Sequence, residues 1–454
     1  MANWFVKSLG GCSGAWSGLA TVYEGTNGDP GLETASRPIP QLYCSAPPPA
    51  MRSDRHRQES FRVSQPSMKP GRLLHLDVFR GVAAIAVVYA HLAEYVFFPH
   101  WSPDWQNVAP HLAPQLEWGH YRIERWMAEI FRRWIDFGRV GVIMFFALSG
   151  FVIHYSISNR LKRPIATFAV RRLLRVYPIY WASLLMALGL AFMGWMPLDP
   201  ATHWGQYLAN VSLAQEWFGV PNVLGVYWTL EIELLFYVCC GIMFALGLMQ
   251  KPGWRFLAAM GFLLIALVTA IVAWKLNRRL PLAPGLSLSI MFWATLWQGW
   301  IISSNEACRR LAHLGLVIML VAMPFITLIG YNPPGEVLSG GEGWNRLSTY
   351  WTALLLFVLL TWSFRGRSWG PKPLLWLGTI SYSVYLLHTL VMYAGEASGV
   401  MQWMKRYPPT VYFLLVIAVS IALGSLTWFL IERTCTQLGR RWTPWERSTG
   451  KQAD

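Results

Sequence analysis

Asp77, Arg80, His91 and Glu94 lie within a mostly apolar run, LHLDVFRGVAAIAVVYAHLAEYVFF, at residues 74–98. Ionisable groups are costly at bilayer depth, so each is a functional candidate. A histidine suits general-base work, because its ring takes and returns a proton near neutral pH. An arginine grips phosphate oxygens bidentately. Arg80 and His91 are eleven residues apart, roughly 1100° of helical rotation and about 20° from three full turns. They therefore share one helix face, displaced by about 16 Å along the axis. Asp77, three residues before Arg80, is placed to pair with it.

Three further clusters join this face as candidates. Arg171-Arg172-Leu173-Leu174-Arg175 opens another apolar run, and Arg172 and Arg175 share a face. With Arg171 and Lys162 they form a basic mouth suited to phosphates, or a patch that merely fixes topology. Tyr227-Trp228-Thr229-Leu230-Glu231-Ile232-Glu233 carries two carboxylates at i and i+2, so at most one faces the cavity that His91 faces. SYSVYLLHTLVM places His388 inside a late run, where it serves either the chemistry or an interhelical hydrogen bond. The expected grouping is His91, Glu233 and His388 in one half, with Arg80, Arg172 and Arg175 in the other. Ser149, in GRVGVIMFFALSGFVI, is a minor nucleophile candidate, because no GxSxG turn accompanies it.

The elements that must hold these residues are membrane helices. The 454 residues are 54% hydrophobic and 13% charged, against about 25% charged in soluble domains. Apolar runs of spanning length fall at about 74–98, 138–158, 174–196, 226–250, 254–275, 285–304, 309–330, 348–365, 374–396 and 409–432. The expected fold is all-α, a polytopic integral membrane protein of about ten transmembrane helices. Placing both termini in the cytoplasm leaves 26 Lys and Arg on the inner side against 10 outside, which favours an N-in, C-in topology. That distribution also accounts for the net charge of +15 without a nucleic-acid partner.

Residues 1–70, rich in Gly, Pro, Ser and Arg, read as a disordered tail, residues 71–433 as the membrane domain and 434–454 as a short basic cytoplasmic tail. The outer connections 99–137 and 197–225 are long enough to fold over the membrane, and Trp204, Asn210, Gln215 and Trp217 suit sugar faces or an ordinary interface. The six cysteines make no CxxC pair and no histidine cluster has metal spacing, so no metal is expected.

LDVFRGVAAIAVVYAHL, GVIMFFALSGFVI, RRLLRVYP, YWTLEIELLFY and ISYSVYLLH occur in that order, and IER follows at 431–433. In this the chain resembles the membrane acyltransferase-3 family, ten-helix bacterial O-acyltransferases of surface carbohydrates. The resemblance implies a cytoplasmic acyl-CoA donor, acetyl-CoA in the simplest case. It implies a carbohydrate acceptor at the outer face of the cytoplasmic (inner) membrane. It also implies functional roles for Arg80, His91, Arg172, Arg175, Glu233 and His388. On that basis Arg172 and Arg175 hold CoA phosphates and Arg80 positions the thioester end or anchors Asp77. His91 acts as base or as a transient acyl carrier, and Glu233 orients it. Glu231 departs from the family pattern, which often has a small polar residue there. A transporter or flippase for an anionic or lipid-linked substrate is the competing reading, since it too uses intramembrane charge.

Overall fold

Long apolar runs satisfy their backbone groups internally only as helices or closed barrels when they cross lipid. In a computed structural model describing residues 73–97, 121–156, 163–196, 198, 200–332, 334–338, 341–367 and 369–442, the described part of every expected run is mainly helical. The tail 1–70, Lys162 and residues 443–454 lie outside the described residues, as do Phe98 at the end of the first run and 99–120 of the first outer connection. Among the described residues there is no strand.

In chain order the helices are α1 (Leu74–Phe97), α2 (Arg122–Trp134), α3 (Phe137–Ser156), α4 (Pro164–Phe192), α5 (Pro200–Asn210), α6 (Trp228–Ala245) and α7 (Pro252–Leu276). They continue as α8 (Ala283–Ile301), α9 (Glu306–Tyr331), α10 (Gly341–Ser363), α11 (Lys372–Ala397), α12 (Val400–Met404), α13 (Pro409–Thr427) and α14 (Arg433–Arg441). Local chemistry sets several boundaries. Pro164, Pro252 and Pro409 begin helices, where a missing N–H is harmless. Asn305 caps α9 by accepting from Cys308 N–H at 2.9 Å.

Among the described residues, seven helices are long and apolar enough to cross a membrane by length and composition. The protein is an all-α polytopic membrane protein. The expected spans over α3, α8 and α10 fall short of that measure for local reasons. The apolar part of α3 is shorter. Buried Ser287, Ser289, Thr295 and Gln298 dilute α8, and polar residues open α10. Helix α8 nevertheless lies at the centre, with Trp293 and Trp297 buried and each indole N–H bonded, at 2.8 Å to the Ala312 carbonyl and 2.9 Å to Thr361.

Two glycine contacts bring the central helices together. A Cβ on Gly378 would sit 1.9 Å from the Asp77 carbonyl oxygen, so α11 crosses α1 backbone against backbone. A Cβ on Gly150 would sit 2.1 Å from the Met291 carbonyl oxygen, so α3 crosses α8 in the same way. Small residues at such crossings let membrane helices approach closely.

The connection 197–225 departs from the expectation of an outer loop. After α5 the chain turns at Leu213 (φ 57°), forms 3₁₀ turns at Gln215–Phe218 and Gly225–Tyr227, and enters α6. The carbonyls of Asn210, Val211 and Ser212 accept from Tyr180 Oη, Trp181 Nε1 (3.1 Å) and Tyr177 Oη (2.9 Å) of α4. These α4 residues stand 11 to 15 positions before Phe192, hence about 16–22 Å down the helix from its end. The segment thus dips to mid-span depth, and α4 supplies the donors that its irregular backbone needs there.

The last helix also runs on. A π-helical turn at Trp428–Glu432 joins α13 to α14, which packs against α4. Residues 433–441, most of them in the expected basic tail, are therefore helical.

Candidate active site

The polar face of α1 survives folding as two separate centres. At the first, Arg80 Nη1 stands 3.9 Å from Asp77 Oδ1, with each side chain only 16% exposed. Arg80 lines an internal cavity of about 70 Å³ with Arg175 of α4, Ser149 of α3, Glu233 and Tyr237 of α6, and Tyr385 of α11. This is room for a slender chain or a few waters, not for a nucleotide.

Glu233 anchors that cavity. Its Oε1 accepts from Ser149 Oγ at 2.9 Å and from the Tyr237 hydroxyl. Tyr237 Oη in turn accepts from Arg172 Nη1 at 3.1 Å. The Arg172 guanidinium also lies 4.8 Å from the Tyr237 ring centroid and 5.6 Å from that of Phe168. Arg175 is within electrostatic reach of both Glu233 and Glu432. Glu432 accepts from Ser383 Oγ at 3.0 Å. A buried carboxylate among guanidiniums and hydroxyls fixes them in place, since an unpaired charge there would be costly.

The second centre is a histidine pair. His91 Nδ1 lies 2.8 Å from His388 Nε2, with the rings 5.1 Å apart and nearly parallel at 16°. His388 is fully buried, and its Nδ1 lies 2.7 Å from the Tyr385 carbonyl oxygen. The Tyr385 hydroxyl meets Thr229 Oγ1 at 3.0 Å, and its ring lines the Arg80 cavity. Tyr385 therefore links the two centres, its side chain lining one and its carbonyl accepting a hydrogen bond in the other.

The structure brings His91 and His388 together, as expected, and gathers Arg80 with Arg175, with Arg172 one hydrogen bond removed. It places Glu233 in the arginine cavity, bonded to Ser149 and Tyr237, and not in a hydrogen bond with His91. The cause is the dipping segment. It lowers the start of α6, so the fifth residue after Trp228 sits at the Arg80 level. Glu231 points elsewhere, its carboxylate accepting from the Glu216 N–H at 3.4 Å beside the dipping segment. Of the two acids, Glu233 faces the cavity. Arg171 is half-buried.

Sequence reasoning assigned no part to Tyr237, Tyr385 or Glu432. The signal for Glu432 was present, a carboxylate inside an apolar run. Nothing in spacing singles out the two tyrosines. Among the described residues, no group of three His, Cys, Asp or Glu is arranged to hold a metal.

A family model described as Acyltransferase domain matches residues 73–429, most of the chain and every helix from α1 to α13. The chain is similar to "Acyltransferase MdmB" of Streptomyces mycarofaciens, 25% identical over 400 residues, covering 82% of this chain and 93% of that protein. It is similar to "Putative peptidoglycan O-acetyltransferase YrhL" of Bacillus subtilis, 25% identical over 348 residues, covering 68% of this chain and 52% of that one. It is also similar to "Exopolysaccharide production protein ExoZ" of Rhizobium meliloti, 26% identical over 317 residues, covering 67% of this chain and 91% of that one. No solved structure matches. With its polytopic helices and its family match from the start of α1 to the π turn, the chain belongs to the membrane acyltransferase-3 family, enzymes that transfer acyl groups.

Proposed function

We propose that the protein moves an acyl group, most simply acetyl, from acyl-CoA in the cytoplasm to a hydroxyl of a cell-surface or secreted carbohydrate. Its place is the bacterial cytoplasmic (inner) membrane, with both termini inside. The observation that carries this reading is the division of one buried α1 face. Arg80 shares a narrow cavity with Arg175 and Glu233, and His91 joins His388 about three turns further along.

Donor recognition follows from charge and size. CoA carries phosphates on a bulky nucleotide and a thioester on a thin arm. Arg172 and Arg175, with Arg171 at the mouth, suit the phosphates. A cavity of about 70 Å³ suits the arm alone. Arg80, held by Asp77, lines the way toward His91, and Glu233 balances the arginines and holds Ser149 and Tyr237.

In the reaction His91 takes the proton from the acceptor hydroxyl as its oxygen attacks the thioester carbonyl. The C–O bond forms, the C–S bond breaks, and CoA leaves as a thiolate that takes up a proton. A positioned general base typically contributes about 10²–10⁴-fold. The carbohydrate acceptor is supported by relatives whose names refer to peptidoglycan and exopolysaccharide.

Membranes containing the protein, given labelled acetyl-CoA, release CoA faster when an envelope glycan extract is added. His91→Ala removes that increment at equal protein level. Release that ignores the glycan, or that survives His91→Ala, rejects the reading.

A further inference from the structure

We propose that His388 is a positioning residue, which holds His91 in the one tautomer able to accept a proton at Nε2. The inference rests on the reading of His91 as general base and adds what makes it one.

The protons along the chain from the Tyr385 carbonyl through His388 to His91 can be placed one by one. A backbone carbonyl can only accept, so the 2.7 Å contact from His388 Nδ1 to the Tyr385 oxygen requires a proton on Nδ1. In the uncharged ring that is the single N–H, and Nε2 keeps a lone pair. His91 Nδ1 stands 2.8 Å from this Nε2, so it must be the donor. An uncharged His91 whose proton is on Nδ1 carries its lone pair on Nε2. The Tyr385 carbonyl therefore sets the tautomer of His388, and His388 sets that of His91.

Geometry and burial make the setting firm. His388 is fully buried, and Tyr385 is tied to α6 through Thr229 at 3.0 Å. The α1–α11 crossing at Gly378 leaves the two backbones no room to slide. This is the orienting part that a carboxylate plays in a Ser-His-Asp triad, supplied here by a second imidazole and a main-chain oxygen. Glu233, whose carboxylate is engaged by Ser149 and Tyr237, is not needed for it. When His91 takes the acceptor's proton at Nε2, it becomes an imidazolium. Its Nδ1–H then donates more strongly to His388, because the donor is charged. The bond to His388 thus gains strength as the reaction proceeds, which is the kind of interaction that raises kcat.

The test uses the full chain in membranes with labelled acetyl-CoA and the glycan extract. His388→Phe keeps a planar aromatic ring and removes the acceptor. It is expected to lower kcat by about 10²-fold, with the KM for acetyl-CoA changed less than about threefold. His388→Gln restores an acceptor oxygen near the Nε2 position and is expected to recover at least about tenfold of that loss. His91→Ala and the His91→Ala, His388→Phe double variant are expected to be equally slow, since the second residue acts only through the first. A packing role predicts instead that Gln is no better than Phe and that the losses multiply. Acetyl-CoA binding by each variant shows that it is folded. Wild-type kcat in a folded His388→Phe, alongside an inactive His91→Ala, overturns this inference and leaves the proposed reaction standing. Activity retained by His91→Ala overturns the reaction itself.

Discussion

At the scale of single residues, the account turns on which acid and which bases face which cavity. Glu233 holds two hydroxyl donors and lies among three arginines, whereas Glu231 meets a backbone N–H of the dipping segment. Hydrogen bonds to a charged group are worth about 1.5–3 kcal/mol. Glu233→Gln is therefore expected to slow acyl transfer about 10- to 100-fold, and Glu231→Gln to slow it far less; initial rates at equal protein level decide. Arg175→Ala is expected to raise the KM for acetyl-CoA by at least about tenfold. Arg175→Lys should restore only part of it, because an ammonium cannot hold phosphate bidentately. The pairing of Arg80 with Asp77 was legible from spacing alone, since i and i+3 share a helix face. So was the eleven-residue alignment of Arg80 with His91. The partner of His91 was not fully legible. His388 and Glu233 both stood as candidates, and choosing between them needs the depth of α6, which spacing within α6 does not contain.

At the scale of elements, the long spans were readable because lipid demands about 20 apolar residues in a row. The dipping segment was not, because its signature is the opposite. Residues 200–227 mix short apolar stretches with Asn210, Gln215 and Asn222, a pattern shared with any surface loop. Its depth becomes visible only through the α4 donors at Tyr177, Tyr180 and Trp181. Tyr180→Phe strands the Asn210 carbonyl in the interior and is expected to cost about 1–3 kcal/mol. The check is a lower midpoint of thermal unfolding in detergent. The crossing of α1 and α11 is as demanding. Gly378→Ala sets a methyl group against the Asp77 carbonyl, where a Cβ would lie 1.9 Å away. The two helices must separate, at about 1–3 kcal/mol. Acyl transfer is expected to fall with stability, because the same crossing brings His91 to His388.

At the scale of the molecule, the charge distribution and the site ask for the same orientation. With 26 Lys and Arg on one side and 10 on the other, the proposed topology turns the arginine cavity toward the proposed cytoplasmic donor and the histidine pair toward the proposed outer acceptor. A single cysteine introduced at Arg406, in a chain freed of its native cysteines, should react with an impermeant maleimide from outside intact cells. One introduced at Arg367 should react only after the membrane is opened. The reverse pattern would turn the site over. The central claim is that an acyl group enters from CoA on one side and leaves on a hydroxyl at the other through His91. Sealed inside-out vesicles, with envelope glycan trapped in the lumen and labelled acetyl-CoA added outside, test it directly. The account predicts label on the lumenal glycan with the wild-type chain and none with His91→Ala. Equal labelling by the two chains, or none by the wild type, would contradict it.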